Sequence, residues 1–300
     1  MGITPAAKRA NKRQNPTVFQ DPTYPMQRYR LLLFAFLLLS VAGCGSLQQD
    51  LDIVLPSGPA QLVVEAYLEP NMVPRLSVSE SVPYVSEPTL PVPTDVTVVL
   101  TLPTGQRDTL RFLPGVTRST RKAYTHIGRS PLVAHPGDTF KLEVTDTKGR
   151  RVTATATMPA TVPILTVDWQ FNDLTGSARR AYMLCTFKDP AGTGDNYRFM
   201  LHRRRLNNDP ELDYTVQDRL TDGQDVTLGS SYEFLPNDTV FVSLYHIDEP
   251  YYNFMQSVQD ARNANANPFS QPAAIRSTVE GGIGVFTVLS YERQRVLLTE

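Results

Sequence analysis

The sequence predicts a mainly β protein: an immunoglobulin-like β-sandwich followed by a second β-rich domain that carries one amphipathic helix. Three observations lead there. Val, Thr, Tyr and Phe recur in short runs, many of them alternating apolar with polar residues, as half-buried strands do. Proline is abundant at 24 residues, and over about 60–160 seven or so short strands are separated by turns every 8–12 residues, the spacing of a sandwich. Sustained 3.6-residue periodicity occurs clearly in a single stretch, after Asp248.

Taken in order, residues 44–59 form an extended linker and residues 60–160 the sandwich. Gln61 to Leu68 is apolar enough for a buried strand, and Pro74 to Val82 alternates Leu76 and Val78 against Ser77 and Ser79. Four prolines (83, 88, 91 and 93) make the next segment a loop or edge crossing. Asp95 to Leu102 sets Val96, Val98, Leu100 and Leu102 on one face. Pro103-Thr104-Gly105 turns the chain into Arg107 to Leu113, and Lys122 to Ile127 is a further strand. Thr139 to Thr145 and Arg151 to Thr157 pair across the Asp146 to Gly149 turn.

Met158 to Pro163 is proline-marked and reads as a boundary, with the second β-rich domain at 161–300. Its strands are Ile164 to Phe171, Ala181 to Asp189, Asn196 to Arg205, Asp213 to Leu220 and Asp238 to Ile247. Ala274 to Val279 and Val285 to Ser290 follow around the glycines of Glu280 to Gly284. The helix spans 249–264: Tyr251, Phe254, Met255 and Val258 form one apolar stripe, and Asp248, Glu249 and Pro250 suit its N-terminus.

The N-terminal region is read separately. Met26 to Ser46 joins a basic lead (Arg28, Arg30) to a short apolar run and then Val41-Ala42-Gly43-Cys44. Leu31 to Ala42 is 12 residues, below the roughly 20 needed to span a bilayer and within the range of a signal-peptide core. Residues 26–43 therefore read as a lipoprotein signal peptide. Val41, Ala42 and Gly43 are the lipobox, and Cys44 is the lipidated first residue of the mature chain. An uncleaved helical anchor is the competing reading. Residues 1–25 are polar and precede the signal, which makes them a mis-annotated extension or a disordered tail. Three acyl chains on Cys44 would give stable membrane residence, where one gives marginal binding. Gly45 after the cysteine disfavours inner-membrane retention, and the weakly acidic Ser46 to Asp52 leaves the leaflet open.

Net charge is −1 and the pI about 6.4, so no basic surplus points to nucleic acid. With Cys44 lipidated, Cys185 has no disulfide partner and reads as a small buried hydrophobe. His126, His135, His202 and His246 show no ligand spacing for zinc. Asp189, Asp195, Asp222, Asp225 and Asp238 fall in turns. Asp189 and Asp195 are the weak candidates for a calcium cage, set against ordinary capping of turn backbone. Glu280 to Gly284 looks like a phosphate loop, but strand rather than helix follows it, which favours a bulge or a close backbone approach. Tyr245, Tyr251, Tyr252 and Phe254 form either a binding platform or a helix-on-sheet core. Arg203-Arg204-Arg205 reads as a solvated strand edge.

In order and spacing the chain resembles DUF4249, a Bacteroidetes lipoprotein family of unknown function. The resemblance rests on Gly43-Cys44, Gln61 to Ala66, Val82-Pro83-Tyr84 and Met158-Pro159. It continues through Phe187 to Gly192, Asn196 to Phe199, Asn267-Pro268-Phe269, Ile275 to Ser277 and Glu280 to Phe286. It implies an outer-membrane location, a TonB-dependent receptor as neighbour, and no catalytic residue or cofactor to carry over. The expected function is a non-enzymatic, lipid-anchored binding module accessory to such a transporter. The alternatives are a surface hydrolase or glycan-active enzyme, and a structural envelope or adhesin-like subunit.

Overall fold

The computed structural model describes residues 59–300 apart from 84–89, 119, 193, 208 and 266–272. The extension 1–25, the signal peptide 26–43 with its lipobox, Cys44 and nearly all of the linker lie outside the described residues. So do Tyr84, Pro88 and Asn267-Pro268-Phe269. Among the described residues no helix is long and apolar enough to cross a membrane.

Eight strands form one continuous sheet. In chain order they are β1 (Leu62–Leu68), β2 (Arg75–Glu80), β3 (Val96–Thr101), β4 (Arg107–Val116), β5 (Ala123–Ile127), β6 (Thr139–Asp146), β7 (Arg151–Thr157) and, from far down the chain, β14 (Ile283–Val288). Their spatial order is β14-β1-β2-β5-β4-β3-β6-β7. The first residues of β4 pair with β3 and the last with β5, and the register shifts between Phe112 and Gly115. Such a bulge bends a strand, and here it carries β4 around a corner. The two ends of the sheet then meet where Thr153 of β7 bridges Glu280, just before β14. The result is a nearly closed, barrel-like sheet rather than two stacked layers. Alternation fills it: Leu62, Val64, Ala66 and Leu68 point inward from β1, Phe140, Leu142 and Val144 from β6, and Phe286 and Val288 from β14.

The glycine run explains how the closure is possible. A Cβ on Gly284 would lie 1.9 Å from the Val64 carbonyl oxygen, and one on Gly281 would lie 2.2 Å from that of Arg151. Both residues also have positive φ. Only glycine lets β14 lie against β1 and β7 at this distance. Ala274 to Val279 is not a strand, against the sequence expectation; its alternating pattern serves contacts of single residues, such as Thr278 Oγ1 with the Phe286 backbone.

The remaining strands make two further sheets. One holds β12 (Asp225–Gly229), β9 (Ala181–Lys188) and β8 (Ile164–Phe171). The other is ordered β11 (Leu212–Gln217), β10 (Asn196–Arg203), β13 (Thr239–Ile247), β15 (Ser290–Leu297). They share a core in which Met183, Cys185 and Phe187 meet Tyr197, Phe199, Leu201, Val242 and Leu244. The sequence reading missed β12 and β15. β12 is five residues ending on a glycine, and β15 carries charge at Glu292, Arg293 and Arg295. β10 lies between β11 and β13, so the arginines at its end do not protect an edge: Arg203 bonds Glu211, and Arg203 and Arg204 both approach Asp238.

Helix α1 (Glu249–Asn265) starts where the Asp248 carboxylate accepts the Tyr251 N–H at 2.9 Å, an N-cap bond. Its apolar stripe covers a third cluster of Met200, Tyr245, Ile247, Tyr251, Val285 and Leu289, with Tyr67 packed beside it. Val285 and Leu289 come from β14 and its end, whose other face lines the barrel. β14 is thus buried on both sides, and its sequence is accordingly almost continuously apolar.

Candidate functional site

Two connections cross between the smaller sheets at the same end. Residues 189–195 lead from β9 to β10, and 218–224 lead back from β11 to β12. They embrace each other. The Asp189 N–H donates to the Gln224 carbonyl at 3.0 Å, and the Asp218 N–H to the Asp195 carbonyl at 3.2 Å. The Gly192 N–H donates to the Asp222 carboxylate at 2.7 Å. Gly223 has φ 68° and a Cβ there would meet that of Ala191 at 2.7 Å, so the two turns touch.

Three carboxylates converge in this corner. One oxygen each from Asp189, Asp195 and Asp218 lies within 4.8 Å of the others, and the residues are only 1%, 7% and 5% exposed. Asp189 accepts from the Tyr197 hydroxyl, and at 2.9 Å from the Gly223 N–H. Asp195 meets His246 Nε2 at 2.9 Å, while His246 Nδ1 lies 2.7 Å from the Ala160 carbonyl. A carbonyl only accepts, so Nδ1 carries a proton. Hence either the imidazole is doubly protonated, or Asp195 itself donates to Nε2. Asp218 Oδ2 is buried and has no hydrogen-bond donor among the described residues. Charges of one sign at this spacing repel by roughly 3–4 kcal/mol per pair at an effective dielectric of about 20. The field reaches Tyr197, whose hydroxyl is pushed far above its ordinary pKa by burial first, then by its bond to Asp189 and the charge of all three aspartates.

The corner brings Asp189 and Asp195 together, as the turn reading allowed, and adds Asp218, which looked like strand in the sequence. The signal available was Asp218 through Gly223, a polar run ending in Asp-Gly; an earlier strand end would have freed Asp218 for the corner. Asp222, Asp225 and Asp238 do ordinary work. They accept from Gly192, pair with Lys188 at 3.6 Å, and accept from the Leu235 N–H, respectively.

The histidines are dispersed. His126 is buried with Nδ1 on Thr125, His202 with Nε2 on the Asn207 carbonyl, and His135 sits near Asp138 on the surface. Cys185 is fully buried in β9. Tyr245 and Tyr251 belong to the core under α1, with Tyr252 and Phe254 packed against it. Arg198 bonds Asp213 at 2.8 and 2.6 Å and the Tyr251 hydroxyl at 2.9 Å, tying the helix to the sheet beneath.

In the barrel-like sheet, β4 and β5 pair as an antiparallel hairpin. Phe112, Leu113 and Val116 are 41%, 52% and 53% exposed. Arg111, Arg118 and Arg121 are exposed around them.

A family model described as a domain of unknown function (DUF4249) matches residues 48–295. No curated protein matches the chain.

Proposed function

The chain belongs to the DUF4249 family, and from that premise we propose that it is a non-enzymatic binding module. It is anchored in the outer membrane through lipid on Cys44 and works as an accessory of a TonB-dependent transporter. The observation that carries the binding role is the β4–β5 hairpin. Phe112, Leu113 and Val116 are exposed within five residues, and Arg111, Arg118 and Arg121 are exposed close by in the chain. Scattered single apolar residues are ordinary on a surface, whereas several exposed on one hairpin among charged residues favour a contact site. Aromatic and arginine anchors are what such contacts use most. The lipobox Val41-Ala42-Gly43-Cys44 supports the anchor. The buried aspartates do not favour a glycan hydrolase: such a carboxylate pair must flank a sugar, and these are closed to one.

The test is affinity purification of the full chain from detergent-solubilised outer membrane, beside a Leu113→Asp variant. Recovery of a TonB-dependent receptor with the wild type, and at least tenfold less with the variant, is expected. Equal recovery with both, or none with either, overturns the reading.

A further inference from the structure

We propose that Asp189, Asp195 and Asp218 hold one calcium ion, which locks together the two connections that cross between the smaller sheets. This goes beyond the binding role and does not depend on it.

The first support is geometry. Calcium binds oxygen at about 2.3–2.6 Å, so ligands around one ion lie no more than about 5 Å apart. The three carboxylates meet this limit, all within 4.8 Å. The second is Asp218 Oδ2. Its residue is 5% exposed and this oxygen accepts no hydrogen bond among the described residues. A buried unpaired carboxylate costs several kcal/mol unless a proton or a cation answers it. The other two carboxylates have partners around them, from Tyr197, Gly223 and His246. Those partners orient them as hydrogen bonds behind metal ligands do, and a carboxylate oxygen with one donor keeps a lone pair for an ion.

The donor set decides the ion. All three ligands are hard carboxylate oxygens, and Cys185 is not among them. His246 is already committed through both ring nitrogens. Oxygen-only sites suit calcium or magnesium rather than zinc or copper. Magnesium demands near-ideal octahedral geometry and keeps several waters. A corner shaped by two irregular turns fits calcium, whose coordination number and geometry are flexible.

The experiment uses the full chain in detergent micelles, stripped with EDTA and titrated with calcium chloride, magnesium chloride or terbium. Terbium should give saturable emission excited through tyrosine, because the Tyr197 hydroxyl sits on Asp189. Calcium should displace terbium where equal magnesium does not. Calcium a hundredfold above its Kd should raise Tm by roughly 5–10 °C. Asp218→Asn should weaken calcium binding at least about tenfold, since affinity follows ligand charge. In EDTA the same variant should match or exceed the wild-type Tm, because it removes one repelling charge. No calcium-dependent shift in the wild type, an equal response to magnesium, or a variant that lowers Tm equally with and without calcium overturns the proposal. Should Asp218→Asn not fold, the wild-type titrations decide alone.

Discussion

Buried polar residues set the chemistry of the interior. Tyr197 reaches Asp189 from the middle of the core, so Tyr197→Phe leaves a buried carboxylate one donor short. Loss of about 1–3 kcal/mol is expected, read from urea denaturation. Cys185 lies on β9, between β8 and β12, and burial first, then the charge of Glu292, push its thiol up to about 12. It should stay silent to a thiol reagent at pH 8 in the native protein and react on unfolding, because the thiolate is the reactive form. His126 and His202 are held below the ordinary imidazole range, mainly by burial. A lowered folded pKa means that the unfolded chain takes up protons first as pH falls. Stability is therefore fully present above about 6.5 and declines as pH drops below it. Urea midpoints at pH 7.5 and 5.5 should differ in that direction, and by less in a His126→Gln variant.

Among the elements, Gly284 shows what a single methyl group can do. Gly284→Ala would drive a Cβ into the Val64 carbonyl at a backbone angle of 133°, parting β14 from β1. Loss of more than about 4 kcal/mol, or failure to accumulate soluble protein, is the expected result. The elements also differ in how visible they were. β6 and β7 were plain, because alternation and the Asp146 to Gly149 turn agree. α1 was plain because its stripe and cap coincide. β15 was hidden because one of its faces is charged and half exposed, which reads as loop. The glycine run reads as a bulge or a close backbone approach, and nothing local decides between them or says which strand it approaches. Asp189 and Asp195 stood out as turn aspartates. Their convergence with Asp218 depends on two connections, more than twenty residues apart, crossing at one end of a core. Such pairing is carried by tertiary packing rather than by any local pattern.

For the whole molecule, one hydrophobic core gathers residues from Leu62 to Met158 and also Val279, Phe286 and Val288, so that β14 returns to a core built mostly from the first strands. Without it, β1 presents an unpaired edge and Phe286 and Val288 leave the barrel interior. A fragment of residues 59–160 should therefore aggregate or show no cooperative thermal transition by circular dichroism. A fragment that melts cooperatively on its own would contradict this.

The late arrival of β14 also sets a clock. β14 begins at Ile283, far along the chain from β1, which ends at Leu68, and it must be in place before the barrel can close. The long sequence separation between β1 and β14 makes that closure slow compared with local hairpin pairing. The folding chain thus stays pliable until β14 docks on β1. Its early strands spend that interval with apolar faces uncovered, and this is the stage at which a holding chaperone would do most for the yield of folded protein.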